Sequence, residues 1–305
     1  MITSPYPSVL SLPQINPGVV TVLEYLIIKF PRINPAIWRQ RMSDGKVHRH
    51  DHSLITAQSP FKAQERIYYY REVESEPVIA AAEAIIYQDA HILVAYKPHF
   101  LPVIPGGVFV NECLQNRLRR ATGIKSLQAV HRLDRVTAGL VIFSVNPATR
   151  HLYHHLFESG QIQKTYQAIA RINDGQQLID QHLVGKSWEV NNRLVRSQPR
   201  FTMQVVEGES NSHSIITCIE QSVVEALFEL RPITGKTHQL RVHMQCLGFG
   251  IKHDKYYPVL QPLSSDNNDA PLQLLAKSLN FIDPVTKVPR SFSAARNLSL
   301  SDICD

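Results

Sequence analysis

The stretch HRLDRVTAGLVIFS (131–144) sets one acid, Asp134, between Arg132 and Arg135 and then enters an apolar run. Positive charge nearby favours the ionised form of a carboxylate. An ionised carboxylate can serve as a nucleophile or a base; the same arrangement can also be an ion pair or a turn cap. A second stretch, Lys164-Thr-Tyr166, opens an alternating segment. Its tyrosine is either a half-buried core ring or a ring on the rim of a basic cleft, where it can meet a nucleobase. A third, RPITGKTHQLRVH (231–243), reads as a Thr-Gly turn leading into a helix. There His238 and Arg241, three apart, share a face, as do Gln239 and His243, four apart. Arg241 could pair with a carboxylate from elsewhere in the fold, or the segment could be a solvated polar face.

The elements that would carry these residues emerge from pattern. Residues 1–18 are rich in Pro and Ser and read as an extended arm. VVTVLEYLIIKF (19–30) has helical spacing and is stopped by Pro31, which cannot continue the hydrogen-bond ladder. A short helix is expected from Pro35 to Met42, and RIYYYREV (66–73) reads as a strand. ESEP (74–77) marks a linker, and beyond it strands mix with helices. HILVAYKP (91–98), KTYQAIARI (164–172), SHSIITCIEQ (212–221), VVEALFELRP (223–232) and LQLLAKSLNFID (272–283) read as strands. Residues 111–121, 146–160 and 234–248 read as helices, the last two ending at Gly160 and Gly248.

Length and composition narrow the possibilities. A chain of 305 residues suggests two domains, and 44% apolar content suits a folded globular protein. Lys and Arg number 32 against 26 acids, for a net charge of +6. Residues 29–71 alone hold nine Lys or Arg against Asp44, Asp51 and Glu65, again +6. That concentration is either a solvated basic face or a module that displaces counterions from a nucleic-acid backbone. Cys113, Cys218, Cys246 and Cys304 are scattered, which argues against a disulfide framework and for a reducing compartment. Prolines interrupt the first apolar residues, and no apolar run approaches the roughly 20 residues of a membrane span. The expectation is a soluble cytoplasmic protein, monomeric by default.

Taken together, HRLDRVTAGLVIFS, KTYQA and ELRPITGKTHQLRVH resemble, in order and spacing, the catalytic-core motifs of the RluA family of pseudouridine synthases. The resemblance covers roughly residues 78–283. Residues 19–73 look like the S4-like RNA-binding module that many members carry. The implied fold is α+β: a mixed, mainly antiparallel central sheet with flanking helices and a catalytic cleft, preceded by a small α/β domain. The implied domains are an arm (1–18), the S4-like domain (19–73), a linker (74–77) and the catalytic domain (78–305). The implied activity is isomerisation of uridine to pseudouridine in ribosomal or transfer RNA, an intramolecular transfer needing no cofactor or metal. By resemblance Asp134 is the essential carboxylate, Tyr166 stacks on the everted base and Arg241 supports the acid. Arg132, Arg135, Lys236, His238 and Gln239 are expected on the RNA, and His131 is read as structural.

Departures from the family pattern are small. Lys236 stands where Arg is common, Ala138 replaces a frequent Ser, and in IKHDKYYP (251–258) His253 replaces Gly while Asp254 matches. The histidines of VHRHDH (47–52) would share one face of a strand, and His151 and His155 one face of a helix. Neither group has the accompanying Cys or carboxylate that zinc prefers. The competing function is a non-catalytic RNA-binding protein with the same fold. A glycosidase would want a paired acid, and no second acid has a clear claim to that role.

Overall fold

The computed structural model describes residues 1–172, 182–199, 201–262 and 264–300, so that Cys304 lies outside the described residues. The chain divides into two compact units. One comprises Met1–Pro77 with Gly106–Asn111, and the other Val78–Pro105 with Glu112 onward.

The first unit holds strands β1 (Ile2–Thr3) and β2 (Ser8–Ser11), helices α1 (Val22–Lys29) and α2 (Pro35–Ser43), and strands β3 (Val47–His48), β4 (Arg66–Tyr69) and β5 (Glu72–Val73). Helix α1 starts at Thr21, whose hydroxyl accepts from the Glu24 amide while the Glu24 carboxylate accepts from the Thr21 amide. This reciprocal cap satisfies amides that have no partner inside the helix. Asn34 caps α2 with Pro35 at the first position. The buried Trp38, Leu26 and Ile67 form the core between the helices and a sheet ordered β2-β4-β3. Two expectations change here. The N-terminal residues are not an arm: β2 pairs with β4 and β1 with β5, because Val9 and Leu10 alternate across a sheet. The expected strand 66–73 is broken in two. The expected linker is held as well, since the Glu76 carboxylate accepts from the amides of Val110 and Asn111.

The second unit contains β6 (Ala84–Gln88), β7 (Ile92–Lys97), α3 (Leu114–Thr122), β8 (Gln128–Ala129), β9 (Ala138–Ser144), α4 (Arg150–Glu158) and β10 (Gln163–Arg171). After these come β11 (Ser187–Arg196), β12 (Met203–Val206), β13 (Ser212–Gln221), β14 (Glu225–Pro232), α5 (Gln239–Cys246), β15 (Leu274–Ile282) and β16 (Pro289–Ser293). Eleven of the described strands make one sheet, ordered β12-β11-β13-β14-β10-β15-β9-β7-β6, with β16 on β15 and β8 on β9. Strands β9 and β15 pair in parallel and their neighbours antiparallel, so the fold is α+β with a large, mainly antiparallel sheet. Every residue of β9 is buried, as an unbroken apolar strand between two neighbours must be.

A single row of residues crosses the middle of this sheet. Lys97 of β7 pairs with Gly139 of β9, Gly139 with Ala276 of β15, Ala276 with Tyr166 of β10, and Tyr166 with Leu230 of β14. Gly139 has φ +125°, and a Cβ there would overlap the Ala276 backbone. Only glycine fits both the dihedral and the approach. No helix among the described residues is long and apolar enough to cross a membrane.

Candidate active site

Asp134 lies in the loop that leads into β9, in a turn closed by the Thr137 amide donating to the Asp134 carbonyl at 3.1 Å. Leu133 and Thr137 are buried on either side and fix the loop. Its carboxylate is partly open to a cleft of about 480 Å³ lined also by Arg132, Lys164, Tyr166, Lys236, His238 and Arg241. The loop is tied from below by Lys97, which is fully buried and donates to the carbonyls of Pro98, Leu101 and Arg135 at 2.8–3.0 Å. Burial draws the Lys97 pKa down to about 7, against the pull of the Asp134 charge. Three carbonyls nonetheless match the three N–H donors of an ammonium.

Arg241 projects from α5 with a side chain only 2% exposed. Its Nη1 lies 3.5 Å from Asp134 Oδ2, a loose contact. Its tight partner is Asp254, which receives Nε at 2.7 Å and Nη2 at 2.5 Å. The guanidinium also sits 4.8 Å from the Tyr256 ring centroid and 5.2 Å from that of Tyr257. Burial alone would lower the Arg241 pKa, but the hydrogen bonds and charge of Asp254, with Asp134 adding, carry it above the ordinary value. The Asp254 oxygens additionally accept from the amides of Tyr256 and Tyr257. That carboxylate is therefore committed to holding Arg241.

His238 and Arg241 both reach Asp134 Oδ2, His238 Nε2 at 3.7 Å, although His238 precedes the helix rather than sharing a face of it. The other ring nitrogen of His238 bonds the Tyr257 hydroxyl at 2.9 Å. Burial lowers the His238 pKa, opposed by Asp134. The helix is shorter than expected, starting at Gln239 with His238 at φ 53°. Residues 234–237 instead form a turn whose polar groups the Gln239 side chain satisfies. Its oxygen accepts from the Thr234 hydroxyl and the Lys236 amide, and its nitrogen donates to the His213 carbonyl and Ser214 hydroxyl. Gln239 is thus fully occupied as a positioning residue, not free for RNA as expected. His243, one turn on, is buried against Ser212 and Asn192.

Tyr166 stands on β10 beside a register shift whose extra residue, Lys277, lies on β15, and it lines the cleft. Burial, then the charge of Asp134, pushes its hydroxyl well above the ordinary range, so the phenol stays protonated. Lys164 lines the same cleft, donates to the Thr234 carbonyl at 3.1 Å and is lowered to about 8 by burial. Arg132 and Lys236 are exposed on the rim. Arg135 is the correction: it does not line the cleft but turns away to Asp266 at 2.5 and 2.8 Å. Asp266 captures this second guanidinium. His131 accepts from the Ile142 amide and stacks on Phe157 at 4.3 Å, a packing role.

Three supports of the site escape sequence reasoning. Asp254 matches a family position without disclosing a partner, Tyr257 sits in an irregular segment, and Lys97 looks like the mere end of a strand. A buried lysine before a proline carries no periodic signal. His253, which stands in place of Gly, adopts φ 64°, the left-handed conformation a glycine would fill there. Among the described residues, no group of three or more His, Cys, Asp or Glu is placed to hold a metal ion. His48 and His52 do not share a strand face, because the strand ends at His48 and His52 has φ 62°.

Comparison with known proteins places this geometry. The sequence profile of the RNA pseudouridylate synthase family matches residues 91–246, half of the chain, spanning Asp134, Tyr166 and Arg241. RNA pseudouridine synthase 7 of Oryza sativa subsp. japonica is 26% identical over 215 residues, 68% of this chain but 52% of that protein. The chain thus spans about half the length of the rice relative. Dual-specificity RNA pseudouridine synthase RluA of Haemophilus influenzae is 28% identical over 228 residues, 73% of this chain and 97% of its own. Human RNA Pseudouridylate Synthase Domain Containing 1 shares the fold, with a TM-score of 0.56 at 20% identity over 73% of this chain and 86% of that one. The chain belongs to the RNA pseudouridylate synthase family.

Proposed function

We propose that the chain is an RNA pseudouridine synthase in which Asp134 is the essential carboxylate and an everted uridine occupies the cleft above it. The observation that carries this reading is the convergence of Asp134, Tyr166 and Arg241 on one cleft, from segments 107 residues apart in the case of Asp134 and Arg241. The reaction breaks the C1′–N1 bond and forms C1′–C5; C5 gives up a proton and N1 gains one, so nothing is oxidised or reduced. A uridine must leave the base stack to present both its sugar and its base edge to one side chain. Attack by Asp134 on C1′ or on C6, or removal of a proton at C2′, needs the ionised carboxylate in each case, and Arg241 is the adjacent cation. Tyr166 lies beside the acid as a ring for the base to rest on and a neutral hydroxyl donor. Arg132 and Lys236, on the rim, are placed for the RNA backbone.

The first unit serves in this reading as an S4-like RNA-binding module, supported by its +6 charge over residues 29–71. The substrate is ribosomal or transfer RNA, the working form is a monomer and the setting is the cytoplasm. Asp134→Asn tests the reading. Pseudouridine mapped in total RNA, from cells with the native or the variant protein, is expected to vanish at the target uridines while RNA affinity is kept. Retained modification by the variant would remove Asp134 from the chemistry.

A further inference from the structure

The water-facing side of the small sheet in the first unit has an unusual composition. Its inner side, with Ile67 and Tyr69 of β4, packs on Trp38 and Phe30. By the two-residue period, the outer side of β4 carries Arg66, Tyr68 and then Tyr70. The register puts His48 of β3 and Val9 of β2 opposite Tyr68 on that same side. Val9 is 55% exposed, and His50 and His52 are exposed beside it. A solvated sheet face is normally polar, yet this one presents rings.

The rings are already arranged in a stack. His48 lies within 9° of parallel to Tyr68 at 5.5 Å and within 22° of His52 at 5.0 Å, while His50 reaches the Tyr68 hydroxyl at 3.0 Å. His48 is 6% exposed, and its Nδ1 sits 2.7 Å from the Arg49 carbonyl. A carbonyl only accepts, so Nδ1 donates there, and Nε2 is the other nitrogen of the ring. That nitrogen is buried and has no partner among the described residues.

We propose that this face binds an unpaired segment of the RNA substrate, with bases stacked on Tyr68, His50 and His52. It rests on the reading of the chain as acting on RNA and goes beyond it by naming the surface and the form of the ligand. Aromatic rings suit unpaired bases of any sequence, and the surrounding basic charge suits the backbone. Charge complementarity, with Arg66 on the face itself and +6 across residues 29–71, selects a polyanion over an apolar protein partner.

Fluorescence anisotropy of the full chain with an unstructured RNA of roughly ten nucleotides tests this, because such sites span about 4–16 nucleotides. Tyr68→Ala and the exposed pair His50→Ala/His52→Ala are each expected to weaken binding about tenfold. Tyr68→Phe, which keeps the ring, is expected to restore affinity to within about twofold, since stacking needs the π-face and not the hydroxyl. The salt dependence should not change in these variants, and binding to a duplex of the same length should be insensitive to them. Native single-strand affinity in Tyr68→Ala and in the histidine pair would overturn the proposal and leave the face to a protein partner. The assay reads binding alone, so a failure of the Asp134 assignment does not alter it.

Discussion

Arg241 is gripped by Asp254 and only touched by Asp134: two bonds of 2.7 and 2.5 Å hold it to the first, against one contact of 3.5 Å to the second. The cation is therefore placed by a residue whose own oxygens are already occupied. Burial of Arg241 depends on Asp254, and the Asp134 carboxylate stays partly open to the cleft.

Asp254→Asn removes that hold while keeping the shape. An unpaired buried guanidinium is expected to cost roughly 3 kcal/mol, read as a lowered denaturation midpoint. Displacement of Arg241 is expected to lower turnover about 10²-fold, since positioning errors near 1 Å have that effect. Native-like turnover in this variant would show that Asp134 works without the pair.

Tyr166→Phe separates ring from hydroxyl. The phenol is held protonated by burial and by Asp134, so it can donate but not act as a base near neutrality. RNA affinity is expected to stay within about threefold because the stacking ring is kept. Single-turnover rate is expected to fall about 10²-fold if the hydroxyl assists proton movement. An unchanged rate would confine Tyr166 to stacking.

Gly139→Ala probes the fold beneath the site. The new methyl would meet the Ala276 backbone at a dihedral of +125° that only glycine takes easily. A loss of more than about 2 kcal/mol is expected from strain and overlap together, measured by urea unfolding. A midpoint equal to that of the native chain would mean the two strands can separate there at no cost.

Acid should weaken the protein before its carboxylates titrate. Burial holds His131 at about 3, and His99 and His243 at about 4, against an ordinary value of 6.5. As pH falls below 6.5 the unfolded chain takes up protons that the folded chain refuses, so stability declines as pH falls. The drop should be visible between about pH 6.5 and 5 in the denaturant midpoint. A flat midpoint across that window would mean these rings are solvated in the folded state.

Much of this is readable from residue order. The alternation in 164–172 and 212–232 marks three strands that lie side by side, β13, β14 and β10. The apolar run after Asp134 puts the acid at the entrance to a buried strand. His238 and Arg241 share a target although His238 stands just ahead of the helix in a left-handed turn, which their spacing does not reveal. Other parts depend on long-range contacts that no local pattern encodes. Asp254 acquires its role from a residue thirteen positions earlier, Lys97 from carbonyls that include one at position 135, and Arg135 loses its expected role to Asp266. The N-terminal strands are hidden by prolines at 5, 7 and 13, which suit an edge strand as well as an unpaired arm. The helix 234–248 begins late because a side chain, Gln239, takes over hydrogen bonding that a first helical turn would have used.

Strand β15 lies between β9 and β10, with Asp134 carried at the edge of one neighbour and Tyr166 on the other. A nascent chain that has already made the acid, the tyrosine and the arginine still lacks the wedge that seats them together. On the proposed reading, uridine chemistry would wait until residues 274–282 slide into the gap. A polypeptide halted before residue 274 would then lack uridine chemistry rather than act indiscriminately.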